Sequence, residues 1–186
     1  FIAVRAAAYK AYFEHMPVSP RRVPFAASMP MQGRHRWGQL ADIWTLDTRQ
    51  HRDPALCGDW PRSLMQGKLL WRCDAIGADR RTFLGQQQED WLASGLASSD
   101  AQWKFIAQTT QITPWPIRSP LGPLTYAEGW DAFPAARARM MEAIAQPRVQ
   151  DVVFLGGDVH RHVAANLRHV PKDPASPIVA SEIETT

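Results

Sequence analysis

The sequence predicts an α/β fold, a sheet with helices packed on it, and three observations lead there. Helix-like and strand-like segments alternate along the chain. Two strand-like runs, "ADIWTL" and "VVFL", end abruptly in chemistry-bearing residues, as open α/β sheets do at their carboxyl edge. The chain has 186 residues, 45% of them hydrophobic, enough for one domain with a substantial core.

The elements follow in order. In "FIAVRAAAYKAYFEHM", Ile2, Val4, Ala8, Tyr9, Tyr12, Phe13 and Met16 recur near helical spacing, and Pro17 and Pro20 end the helix. Residues 39–46, "QLADIWTL", read as a strand that delivers Asp47, Thr48 and Arg49 at its end. Residues 50–80 mix Gly, Pro, Asp and charge without a period and read as a long excursion from the core. A helix with Phe83, Leu84, Trp91, Leu92 and Leu96 in register comes next, then a strand "WKFIAQTTQI" stopped by Pro114. Gly122 and Pro123 lie in a Pro-rich loop. The helix "AARARMMEAIAQP" turns Met140, Met141 and Ile144 to the core and its arginines outward. The strand "VVFLG" follows it, and residues 178–184 read as a last strand. Phe1 already lies inside a helical pattern and Thr186 inside an apolar run, so the expectation is a portion of a longer protein.

Composition narrows the partners. The net charge is +3, but the basic residues are scattered without a continuous run, which suits small anions and gives no specific nucleic-acid surface. No apolar run approaches the ~20 residues of a membrane span. No signal-peptide pattern opens the chain. Cys57 and Cys73 either stay free or bridge, closing a loop worth roughly 3 kcal/mol in the chain-entropy model. Their spacing lacks the clustered partners of a zinc site.

The chemistry concentrates in "GGDVHRH". Asp158, His160 and His162 follow a buried strand and a glycine pair that lets backbone approach a ligand closely. In extended backbone Asp158 and His160 point to one side, and His162 joins them if the extension continues. Carboxylate with imidazole suits a hydrolytic metal such as Fe, Mn or Zn; the alternative is a turn with a solvated histidine pair. Arg49 offers a planar fork for phosphate or carboxylate, or pairs with Asp47 or Asp53 as support. Asp131, after Trp130, is well placed to cap the helix that follows. His15, His35, His51 and His169 sit among polar neighbours and read as surface side chains.

Taken together, "WGQLADIWTLDTRQHRD", "RTFLGQQQEDWL", "QWKFIAQTTQITP", "GWDAFPAARARMM", "VVFLGGDVHRH" and "IVASEIETT" resemble, in order, the PhoD-like alkaline phosphatase family of metallophosphoesterases. The resemblance implies part of a four-layer α/β/β/α metallophosphatase sandwich, with residues 1–186 as a C-terminal portion of that domain. It implies hydrolysis of phosphomonoesters and phosphodiesters, with phosphoester small molecules as substrates, at a centre of iron with calcium or other divalent metals. Asp158 and His160 match the C-terminal contributions to that centre. His162 is a candidate proton donor, and Asp47, Arg49, Trp130 and Asp131 are supporting or substrate-side residues. The family's upstream ligands have no counterpart here, so this piece alone is expected to be inactive. Export to the periplasm or the extracellular space follows from the family and from a Cys57–Cys73 bridge. Two rival readings keep the fold: a non-catalytic anion- or partner-binding module, and a metal-dependent amide or ester hydrolase.

Overall fold

The computed structural model describes residues 1–59, 61–120 and 122–185. Its centre is a sheet of β1 (Gly33–Trp37), β2 (Ala41–Thr45), β5 (Trp103–Ala107), β8 (Val152–Gly156), β9 (Val163–Arg168) and β10 (Ile178–Glu184). The spatial order is β1-β2-β5-β8-β10-β9. β2, β5, β8 and β10 run parallel, and the two outer strands are antiparallel to their neighbours.

Two helices cover one face of this sheet. In α2 (Gln86–Ser98) Leu92 and Leu96 are buried one turn apart. In α3 (Pro134–Ile144), with proline at the start where its missing N–H costs nothing, Ala136, Met140, Met141 and Ile144 are buried. They meet Trp44, Ile106, Val152 and Phe154 from alternate strand positions, with Phe83 against Trp130 and Phe133 at centroid distances of 4.6 and 5.1 Å. Each large side chain removed from water here contributes about 1.5–3 kcal/mol. The opposite face stays open: Trp103, Leu155 and Ile183 are 38%, 37% and 55% exposed. The chain thus holds one helical layer on one sheet, with an apolar sheet face left bare.

Several elements depart from the sequence reading. β1, "GRHRW", was not anticipated, because its charges mask an edge strand. Arg34 and Arg36 reach the fully buried Asp42 at 2.6 and 3.5 Å, and Ser99 donates to it at 2.6 Å. Burial pushes the Asp42 carboxyl up, but Arg34, Ser99 and Arg36 more than offset this and hold it below the usual carboxylate range. The described residues of the 50–80 excursion carry regular structure. Its β3 (Ser63–Leu64) and β4 (Leu69–Trp71) join β6 (Ile117–Ser119) and β7 (Gly122–Tyr126) in a second, antiparallel sheet of order β3-β4-β7-β6. A Cys57–Cys73 disulfide ties the excursion together, with Cα atoms 6.0 Å apart. β5 stops at Ala107 rather than running on toward Pro114, and β9 falls in sequence between the two expected final strands.

The first helix, α1 (Ile2–His15), forms as expected, but none of its residues is buried; Ile2 and Val4 are 73% and 72% exposed. Arg5 ties it to Gln50 at 3.4 Å. The periodicity was a correct sign of helix and no sign of what covers its apolar stripe. No helix among the described residues is long and apolar enough to cross a membrane.

Candidate active site

Parallel strands end at one edge, so the residues after β2, β5, β8 and β10 gather there however far apart they lie in sequence. At the β2 end, Asp47 is buried and its carboxylate organises the turn. Its Oδ1 accepts from the backbone N–H of Arg49 and of Gln50, both at 2.9 Å, and its Oδ2 accepts from the Gln50 side chain. Gln88 of α2 clamps the Asp47 main chain from both sides, accepting its N–H at 2.8 Å and donating to its carbonyl at 2.9 Å. The Asp47 side chain is therefore a positioning group that aims Arg49 outward.

The β8 end is built differently. A Cβ on Gly156 would stand 3.0 Å from Glu184 Oε1, and one on Gly157 would stand 3.2 Å from the Thr185 carbonyl. The glycine pair therefore clears space for the end of β10, where the sequence reading had it clear space for a ligand. Asp158 and His160 have φ of 70° and 54°. The backbone is left-handed at both, which replaces the expected extension and costs conformational energy for non-glycine residues. Asp158, His160 and His162 are exposed. His162 Nδ1 lies 2.8 Å from Thr185 Oγ1. Arg161 folds inward, donating to Gln111 at 2.6 Å with its guanidinium 3.9 Å from the Trp115 ring centroid.

The two ends meet through Arg49. Its Nη2 lies 3.4 Å from Asp158 Oδ2, and its Nη1 lies 3.1 Å from Glu128 Oε2. Arg49 thus pairs with neither Asp47 nor Asp53 through its side chain; Asp53 instead accepts the Thr82 N–H at 2.8 Å. Arg52 donates to the Glu128 carbonyl at 3.4 Å. Burial, then Arg49, pulls the Arg52 guanidinium below its usual value. Burial, then Glu128 and Asp158, pushes the Tyr126 phenol above its usual range, so it stays a neutral O–H. Arg52, Tyr126 and Glu128 were missed in the sequence. Tyr126 ends β7, which pairs with β4 of the excursion, and Glu128 follows it, so nothing local in the sequence signals their approach to Arg49.

Trp130 and Asp131 lie deeper. Trp130 is 1% exposed and donates to Gln108 at 2.6 Å, which makes it a core residue. Asp131 does not cap α3, which begins at Pro134 without a side-chain cap. A short helical turn at Trp130–Ala132 intervenes, and the Asp131 carboxylate instead accepts the Trp115 N–H at 2.8 Å and pairs with Arg137 at 2.5 Å.

Glu184 is a buried acid, 2% exposed, and among the described residues neither of its carboxylate oxygens has a hydrogen-bond partner; Arg161 Nε nearby is also buried without one. Burial, reinforced by Glu182 and Asp158 and opposed by Arg161, pushes the Glu184 carboxyl up to about 7.

Among the described residues, no three His, Cys, Asp or Glu side chains lie close enough to hold a metal ion. Asp158 and His160 nonetheless offer a carboxylate and an imidazole, exposed at the strand end, and this donor pair fits a hydrolytic metal as part of a larger ligand set.

A mostly parallel sheet with polar side chains gathered on its carboxyl edge, accompanied by a small antiparallel sheet, defines an α/β fold. The chain belongs to the PhoD-like phosphatase family, whose model matches residues 1–186. It is 34% identical to alkaline phosphatase D of Bacillus subtilis (strain 168), aligning over all of this chain and 30% of that protein. A solved structure described as "Structure of PhoD" superposes with a TM-score of 0.88 at 33% identity, covering all of this chain and 34% of that one. The chain therefore spans about a third of the length of the relatives it matches.

Proposed function

We propose that residues 1–186 are a C-terminal portion of a PhoD-like metallophosphatase domain that hydrolyses phosphomonoesters and phosphodiesters. The observation that carries this reading is the Arg49–Asp158 contact, which joins two strand ends 109 residues apart in sequence. Asp158 and His160 would hold part of a centre of iron with calcium, or other divalent metals. When bound, such metals supply positive charge for the phosphoryl oxygens and acidify a water.

The chain's own residues do the rest. Asp47 fixes the turn, and Arg49 presents its fork to the phosphoryl group. His162 has Nδ1 engaged by Thr185, which leaves Nε2 to carry a proton toward the leaving oxygen. The piece alone is inactive in this reading, because its donor set is incomplete. The disulfide supports a periplasmic or extracellular location, where such bonds persist.

The test uses the full-length protein. Asp158→Ala and His160→Ala are each expected to lower turnover of a phosphodiester by at least about a hundredfold and to reduce bound metal in elemental analysis. Unchanged turnover and metal content would contradict the assignment.

A further inference from the structure

The loop after β2 carries a second guanidinium that the chemistry above leaves unused. Arg52 is half-buried close to Arg49, and among the described residues its hydrogen-bond partner is the Glu128 backbone carbonyl rather than a carboxylate. Two like charges held together repel each other and favour any anion that seats between them. The nearer of two side-chain anions on this pair is Glu128, from the loop after β7, with Oε2 3.1 Å from Arg49. Arg49 and Glu128 are 45% and 37% exposed, so solution anions can reach both. Asp158 takes the other branch of Arg49, and the Tyr126 hydroxyl is the remaining titratable group in their field.

We infer that Arg49 and Arg52 together bind the phosphoryl oxygens of the ester. Glu128 is then the specificity-determining residue, occupying Arg49 in the empty site and disfavouring dianionic monoesters relative to monoanionic diesters. The inference rests on the phosphoester-hydrolase reading above. The physical reason is Coulombic. The repulsion from Glu128 scales with ligand charge, so a dianion feels it twice as strongly as a monoanion. Arginine forks match phosphoryl oxygens in pairs, and a tetrahedral phosphoryl group can turn one oxygen to each guanidinium.

The test measures kcat/KM of the full-length protein for bis-p-nitrophenyl phosphate and p-nitrophenyl phosphate, and titrates inorganic phosphate calorimetrically. Glu128→Gln keeps the shape and removes the charge. It is expected to raise the monoester-to-diester ratio of kcat/KM about tenfold and to tighten inorganic phosphate by a similar factor. Arg52→Gln is expected to weaken inorganic phosphate about tenfold with melting temperature unchanged. Phosphate affinities unchanged in both variants would overturn the inference whatever the turnover. A wild-type protein that binds phosphate, responds to both substitutions and hydrolyses neither ester would overturn the phosphatase reading alone.

Discussion

The β2 end and the β8 end sit on the same sheet edge and are built to opposite standards. At the β2 end the Asp47 carboxylate accepts three hydrogen bonds and Gln88 satisfies its main chain on both sides. Gln50 then stitches the turn to Met29, donating to its carbonyl at 2.7 Å and accepting its N–H at 3.0 Å. At the β8 end two non-glycine residues are left-handed, the side chains of Asp158, His160 and His162 are exposed, and a buried carboxylate has no hydrogen-bond partner among the described residues. The difference teaches which end is complete among the described residues and which is not. A satisfied turn needs nothing more, whereas strain and unpaired buried polar groups persist where another component completes the arrangement.

The comparison breaks most severely at Gln88. Gln88→Ala removes three hydrogen bonds and strands the buried N–H and C=O of Asp47. It is expected to cost about 3 kcal/mol and roughly 8 °C of melting temperature. A drop of only about 1 °C by calorimetry would mean that the β2 end is not the rigid partner described here.

A smaller, pH-dependent effect sharpens the other side. The Glu184 carboxyl moves from its ordinary 4.5 to about 7 in the folded protein, so the folded state binds its proton more tightly. Its stabilising contribution is complete below about pH 4.5 and is lost as pH rises through about 7. Glu184→Gln cannot ionise. The variant is therefore expected to gain stability relative to the parent across that window, by on the order of 1–2 kcal/mol at alkaline pH. Thermal melts at acid and alkaline pH check this; a difference that does not change with pH would show that folding leaves the Glu184 carboxyl unshifted, and a reversed trend would show that it is paired with a cation.

Much of this was legible in the sequence, and what was not has physical reasons. Buried parallel strands such as "VVFLG" and helices with Leu92 and Leu96, or Met140 and Ile144, announce themselves by apolar period. β1 was hidden because an edge strand tolerates charge on both faces, and its arginines serve a buried aspartate on β2. The second sheet was hidden because its strands are two to five residues long and interrupted by Gly and Pro. At the site, Asp47, Arg49, Asp158, His160 and His162 stood out as polar residues ending apolar runs. Glu128 and Arg52 did not, because their meaning depends on a pairing between insertions far apart in the chain. The left-handed turn at Asp158 and His160 was unreadable for a related reason. Asp and His are enriched among the few non-glycine residues found left-handed, but such residues remain uncommon and no local pattern marks the position.

The central claim is that the β2 and β8 ends form one phosphate-cleaving site through Arg49 and Asp158. A double-mutant cycle tests it directly: Arg49→Ala, Asp158→Ala and the pair, each measured as kcat/KM for a phosphodiester in the full-length protein. The account predicts a coupling of about 1 kcal/mol or more, and losses that add within about 0.3 kcal/mol would contradict it.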